Sequence, residues 1–180
     1  LLYFFYLDPS WWRALLFLIF TFWVYSHPLF NFSLLLPIFL VALVLSFWLS
    51  WLPLSGVAGL PLAGILAVSF AILLGVKNLI LTHRQVWLYV LAIFLSYILL
   101  LNFFLLDQGS LFWLEWLLTT LLLLLIFKNV FGEWLLAVAA ALLLGELLWV
   151  VSWLPIGFFS SSNLVFLAGL LLFQSFHQER

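Results

Sequence analysis

Residues 111–127, LFWLEWLLTTLLLLLIF, decide the fold class of this chain. A helix needs about 20 apolar residues to cross a hydrocarbon core about 30 Å thick, and this stretch approaches that length with a single charged residue. Its run from Leu121 to Phe127 is apolar without interruption, whereas membrane β-strands alternate apolar and polar positions. The stretch therefore predicts a transmembrane helix.

The composition extends this prediction to the whole chain. Of its 180 residues, 69% are hydrophobic and 6% are charged, whereas soluble domains carry about 25% charged residues. Lipid favours apolar side chains and backbones that are hydrogen-bonded internally. We predict an all-α, polytopic transmembrane helix bundle that forms a single integral membrane domain over residues 1–180. Since residue 1 is Leu and the chain contains no Met, we expect the native N-terminus to be missing.

Short breaks that carry Pro, Gly, Asn or charge divide the chain into apolar segments of nearly membrane-spanning length. About seven spans are therefore predicted: Pro9–Tyr25, Ser33–Leu52, Val57–Val76, Val86–Leu106, Leu111–Phe127, Trp134–Trp153 and Gly157–Phe176. The seventh contains the polar group Ser160–Asn163 in its first turns. Six spans followed by a half-length re-entrant segment are the alternative.

The distribution of basic residues predicts the orientation. Seven crossings place Lys77, Arg84, Lys128 and Arg180 on one side of the membrane and Arg13 on the other. Because basic loops stay in the cytoplasm, we expect a multi-pass protein of the plasma membrane (a bacterial inner membrane or its equivalent) with a cytoplasmic C-terminus. The basic group Lys77, His83 and Arg84 would face anionic headgroups, which makes membrane lipid an expected partner.

The sequence lacks the residue patterns that several classes of protein function require. A net charge of −1 argues against a broad nucleic-acid surface, which requires clustered Lys and Arg. The sequence contains no Cys, no Gly-x-Ser-x-Gly, no His-Glu-x-x-His and no glycine-rich phosphate loop, which are patterns typical of hydrolytic, metal and nucleotide sites. We therefore predict no catalytic residues, no metal site and no cofactor, and we favour a protein that is not an enzyme.

Small residues recur at every fourth position in two segments, which keeps them on one helix face. The two sets are Gly59, Ala63, Ala67, Ala71 and Gly75 in the third segment, and Ala137, Ala141 and Gly145 in the sixth. Such faces let two helix backbones approach closely in lipid. Packing within the chain is the favoured interpretation, and contact with a partner protein or a second copy is the alternative.

Two carboxylates within predicted spans mark a candidate site. At 1.5 Å per residue, Glu115 lies ~6 Å and Glu146 ~10 Å from the outer ends of their helices. Charged groups at this depth usually face the interior of a bundle and have a partner there. Tyr97, Thr119 and Ser160–Asn163 reach the same half of the bilayer. The candidate ligand-binding residues are Glu146, Glu115, Asn102, Arg13, Trp149 and Trp153.

Three roles for this cluster are open. The acids could be structural, or they could form with tryptophan faces an outward-opening pocket for a cationic or amphiphilic ligand, or they could carry protons. The functional prediction is a non-enzymatic membrane subunit that binds a small ligand, a lipid or a partner protein. The alternative is a proton-coupled transporter or an intramembrane enzyme that uses Glu115 and Glu146.

Overall fold

The computed structural model describes residues 11–27, 32–51, 56–77, 83–105 and 111–178. Within these residues all regular structure is α-helical, which confirms the all-α prediction for the part of the chain described. The helices are α1 Trp11–Ser26, α2 Phe32–Trp51, α3 Gly56–Lys77, α4 Arg84–Leu105, α5 Phe112–Phe131, α6 Trp134–Ser152 and α7 Phe158–Gln178.

The seventh segment is one continuous helix of 21 residues. Two of its serines, Ser162 and Ser175, donate their hydroxyls to the backbone of the same helix. The Ser162 hydroxyl donates to the carbonyl oxygen of Phe158 at 2.7 Å, which is the usual way that a helix accommodates serine. The group Ser160–Asn163 therefore lies inside α7 and does not delay its start.

Three helical segments are long and apolar enough to cross a membrane: Gln85–Leu105 in α4, Phe112–Phe131 in α5 and Trp134–Ser152 in α6. Shorter apolar segments occur in the other four helices, at Leu15–Ser26, Leu35–Phe47, Gly64–Lys77 and Phe158–Leu172. Length and composition are thus compatible with a membrane protein. The number of spans stays a prediction.

The first of two compact units covers residues 1–95, and its core joins α1, α2 and α3 through aromatic rings. Tyr25 of α1 stacks on Phe39 of α2 with ring centroids 4.1 Å apart. Phe39 in turn meets the edge of Phe70 on α3 at 6.3 Å. Edge and offset ring contacts of this kind stabilise beyond the area they bury, so these rings fix the mutual position of the three helices.

The third predicted span ended at Val76 and left Lys77 outside it. In the structure, Lys77 is the last residue of α3. Its side chain is completely buried, and Nζ lies 4.6 Å from the centroid of the Tyr25 ring. Two effects offset part of the cost of burying a cation here, namely attraction to the aromatic face and the negative end of the helix dipole. Lys77 is therefore part of the packing of the first unit.

The second compact unit covers residues 96–180 and is built around a tight helical hairpin. The contact between α5 and α6 is the most extensive among the described helices, and α6 also packs against α7. Gly132 ends α5 at φ 73°, and its N–H donates to the carbonyl oxygen of Lys128 at 3.0 Å. The Lys128 ammonium donates to the Gly132 carbonyl and lies 4.9 Å from the Trp134 ring centroid. A left-handed glycine with such bonds is a common helix end, and here it reverses the chain within two residues.

Candidate functional site

The α5–α6 contact forms the framework of the candidate site. Trp116 of α5 donates its indole N–H to the Gly145 carbonyl of α6 at 2.6 Å. The Thr120 hydroxyl donates to the Trp116 carbonyl at 2.9 Å, and a methyl group placed on Gly145 would lie 2.8 Å from that hydroxyl oxygen. Only glycine fits at position 145 without displacing Thr120. The small-residue face of α6 is consequently a packing face within the unit, and Ala137 and Ala141 on it are fully buried.

Aromatic rings cover one end of this hairpin. The Trp113 ring lies 5.4 Å from the Trp149 ring and 6.3 Å from the Trp116 ring. Trp149 is therefore engaged in a ring cluster between α5 and α6, while Trp153 is 77% exposed. The two tryptophans that the sequence grouped into one ligand site have different surroundings.

The two carboxylates also differ. Glu146 is exposed on α6, next to the buried Gly145. Glu115 lies in the first turn of α5, where the helix dipole favours an acid, and it is half-buried with one carboxylate oxygen, Oε2, shielded from solvent. Glu115 is thus the acid that reaches the interior of the second unit.

Asn102 is the most unusual of the predicted site residues. It lies near the end of α4 and is completely buried, yet neither its amide nitrogen nor its amide oxygen has a hydrogen-bond partner among the described residues. Thr119 on α5 shares both properties. It is fully buried, and its hydroxyl has no hydrogen-bond partner among the residues that the structure describes. Buried polar groups are nearly always hydrogen-bonded, and each unpaired group costs about 1–3 kcal/mol.

Asn102 and Glu115 lie at similar distances from the neighbouring ends of α4 and α5. Asn102 precedes the end of α4 by three residues, and Glu115 follows the start of α5 by three, which is ~4.5 Å along each helix at 1.5 Å per residue. The Phe103 and Phe112 rings, 5.9 Å apart, bring the two helix ends together. Thr119 follows Glu115 by four positions and so shares its helix face.

One pair of side chains, Tyr97 and Asn163, connects α4 to the polar start of α7. The Tyr97 hydroxyl donates to the Asn163 side-chain oxygen at 3.2 Å, and the Tyr97 ring meets the Phe166 ring at 5.1 Å. These groups therefore have partners, in contrast to Asn102. Arg13 lies in α1, but its side chain is outside the residues described, and its part in the site stays a prediction.

Sequence reasoning missed the contact of Trp116 and Thr120 with Gly145. It treated Gly145 as one of several equivalent small residues and assigned no role to Trp116. A signal was present, because Trp116 and Thr120 are four positions apart on one face of α5, and this face meets a helix that bears a glycine among alanines. As for metals, the described residues contain no group of three or more His, Cys, Asp or Glu side chains that could hold an ion.

Comparison with protein families, with characterised proteins and with solved structures found no match.

Proposed function

We propose that the chain is a multi-pass integral membrane protein of the plasma membrane. Three long apolar helices support this, and so do large apolar side chains that point away from the protein, such as Trp12 and Leu135, which are 79% and 81% exposed. In water, an apolar surface of this extent would promote aggregation. In a bilayer the same surface is solvated.

The proposed topology has seven spans and a cytoplasmic C-terminus. Four helices, α4 to α7, lie between the α3–α4 connection and the C-terminus, and an even number of crossings returns the chain to the same side of the membrane. Reporter fusions after Arg84 and after Arg180 should therefore both report the cytoplasm. Opposite reports from the two fusions would mean that α7 does not cross. A fusion after Gln108 serves as the control and should report the outside.

Within this frame, we propose a non-enzymatic membrane subunit that binds a small ligand in the second unit. The observation that carries the proposal is Asn102, a fully buried amide without a hydrogen-bond partner among the described residues. An amide both donates and accepts, and the Thr119 hydroxyl does so too. The complementary ligand is a small molecule that carries both a donor and an acceptor.

Replacing Asn102 by Leu tests this proposal, because the substitution keeps the size and removes both polar atoms. The ligand-free protein should become more stable by about 1–3 kcal/mol, since an unpaired buried group is lost. At the same time, small molecules that co-purify with the wild type and are detected by mass spectrometry should be lost.

The matched control is Asn129→Leu, because the Asn129 amide already donates to the Leu125 carbonyl at 3.0 Å. This substitution should lower stability slightly and leave ligand retention unchanged. If Asn102→Leu instead destabilises the protein and alters nothing that co-purifies, the Asn102 side chain has a structural role and the proposed site is wrong.

A proton-coupled transporter or intramembrane enzyme that uses Glu115 and Glu146 is the second proposal. The shielded oxygen of Glu115 favours it, whereas the exposed position of Glu146 does not. Glu115→Gln separates the two functions, because it removes proton exchange while it keeps the shape of the side chain. Proton-driven uptake into vesicles should stop in that variant if the second proposal is correct.

A further inference from the structure

Glu146 is the only charged residue of α6, and it lies on the exposed face of that helix. Its neighbours on this face, Leu142, Trp149 and Val150, are large, apolar and exposed. The Glu146 carboxylate has no hydrogen bond or ion pair with any residue that the structure describes. An otherwise apolar helix face therefore presents a single charge to its surroundings.

Packing on the opposite face fixes the rotation of α6 that exposes Glu146. Ala141, Gly145 and Leu148 are buried there, and the Gly145 carbonyl accepts the hydrogen bond from Trp116 of α5. Turning Glu146 inward would break this bond and expose the small residues against which α5 packs. Glu146 consequently stays outside the helix packing of the second unit.

In the proposed membrane location, Glu146 lies below the level of the lipid headgroups. It precedes Ser152, the last residue of α6, by six positions, or ~9 Å along the helix. Trp149 and Trp153 are closer to that end, at the level where tryptophan meets the headgroups. Since the Cα–Cβ bond of a helical residue tilts toward the helix N-terminus, the Glu146 side chain starts away from the nearer headgroup layer.

A carboxylate at this depth requires a partner. Charged groups within membrane spans nearly always pair with another polar group, because lipid solvates them poorly. The basic residues of the chain lie within one turn of a helix end or beyond it: Arg13, Lys77, Arg84, Lys128 and Arg180. None of them matches the position of Glu146 along its helix. The complementary cation therefore comes from outside the chain.

We infer that the face formed by Leu142, Glu146, Trp149 and Val150 docks a transmembrane helix of a partner protein, and that this helix carries a Lys or Arg at the depth of Glu146. The opposite charge pairs with the carboxylate, and the flanking apolar residues pack against the partner helix. A lipid amine stays in the headgroup layer above Glu146, so a lipid is not the occupant. The inference rests on the proposed location in a membrane and is independent of the proposed ligand site around Asn102.

The test uses the full-length protein in phosphatidylcholine vesicles and two synthetic leucine-rich transmembrane peptides of about 20 residues. One peptide carries a single lysine six residues from its end, and the other carries leucine there. Energy transfer from a fluorophore attached after Arg180 to an acceptor on the peptide measures binding. Wild type should bind the lysine peptide about tenfold more tightly, since polar contacts between membrane helices have this order of effect.

Glu146→Gln should remove this preference and leave the melting temperature unchanged, because the carboxylate is exposed and unbonded among the described residues. Glu133→Gln is the matched control. Glu133 is the N-cap residue at the other end of α6 and is also exposed, so the variant loses the same charge from the same helix. It should keep the preference for the lysine peptide.

Equal binding of the two peptides by wild type would overturn the inference, and it is the expected result if the carboxyl group is protonated in lipid. A preference that appears only in Arg13→Gln would also overturn it, because Glu146 would then be paired within the chain. So would a wild-type dimer that Glu146→Gln converts to a monomer, since the occupant would be a second copy.

Failure of this inference can be told apart from failure of the other proposals. Asn102→Leu should leave the preference for the lysine peptide unchanged, because it alters only the proposed ligand site. Release of the protein from membranes by alkaline carbonate would refute the membrane location itself, and this inference with it.

Discussion

The small-residue faces of α3 and α6 have the same four-residue spacing and opposite surroundings. On α6, Ala137 and Ala141 are fully buried, and the backbone at Gly145 is in direct contact with α5. On α3, Ala67 and Ala71 are exposed and line a cavity. The spacing produces a smooth helix face in both cases, but it does not determine what lies against that face.

The partner helix makes the difference. α5 presents to Gly145 a side chain with a hydrogen-bond donor, Trp116, and a small β-branched residue, Thr120, which fits against a glycine. α1 and α2 present the phenyl rings of Phe20 and Phe39 to the alanines of α3. Close packing in lipid depends on such matched shapes and bonds, because no hydrophobic force drives two apolar helices together there.

The largest difference in stability is expected when one glycine in each unit is replaced by leucine. Gly145→Leu places a side chain where even a methyl group lies 2.8 Å from the Thr120 hydroxyl oxygen. Overpacking costs about 1–3 kcal/mol, and loss of the Trp116 hydrogen bond would add about 0.5–1.5 kcal/mol, so we expect a total loss of about 1.5–4.5 kcal/mol. Unfolding in detergent, followed by circular dichroism, measures it.

Gly64→Leu is the matched change on α3, since nothing lies within 4 Å of a methyl group placed there and the position is exposed. It should be neutral or slightly stabilising, because leucine favours helix more than glycine does. A similar loss of stability in the two variants would show that the two faces are equally packed, contrary to the structure.

A second pair compares alanines within the two stripes. Ala141→Leu adds three carbons at a fully buried position and should lower the free energy of unfolding by about 1–3 kcal/mol. Ala71→Leu adds the same atoms at an exposed position and should stay within about 0.5 kcal/mol of wild type. Both values come from the same denaturation experiment in lipid-free detergent, and a destabilised Ala71→Leu protein would mean that α3 also packs against a neighbour.

The smallest expected effect concerns the hydrogen bond from Trp116 to Gly145. Trp116→Phe keeps an aromatic ring and removes the N–H donor, which should cost about 0.5–1.5 kcal/mol. Trp113→Phe is the control, because Trp113 is 62% exposed and contributes ring contacts to the same cluster. Equal costs for the two variants would indicate that ring packing, and not the hydrogen bond, holds the helices together.

The sequence was a good guide to where helices begin and end. The sixth segment, predicted over Trp134–Trp153, corresponds to α6 Trp134–Ser152, and the others agree within a few residues at the described ends. Apolar run length carries this information, because breaks with Pro, Gly or charge interrupt it at the helix ends. Even the polar Ser160–Asn163 group did not alter the extent of α7, since a serine hydroxyl can bond to its own helix.

Which face points inward could not be predicted. In α3 and α6, apolar residues surround the whole helix, and a helix that is hydrophobic all round gives no sequence signal for its buried side. For this reason Ala71 and Ala141 looked equivalent. The same limit applies to the candidate site. Asn102, Glu115 and Glu146 could be identified as polar residues within apolar runs. The burial of Asn102 and the exposure of Glu146 could not be predicted, because they depend on how each helix is rotated about its axis.

The two-residue turn between α5 and α6 has a consequence for the order of events during synthesis. Gly132 and the Lys128 side chain close the turn, and the bond from Trp116 to Gly145 joins residues only 29 positions apart. Structures dominated by such local contacts form quickly. Once the ribosome has released about Ser152, we expect this hairpin to form its contacts before α7 is complete, so that α7 then docks against a preassembled pair of helices.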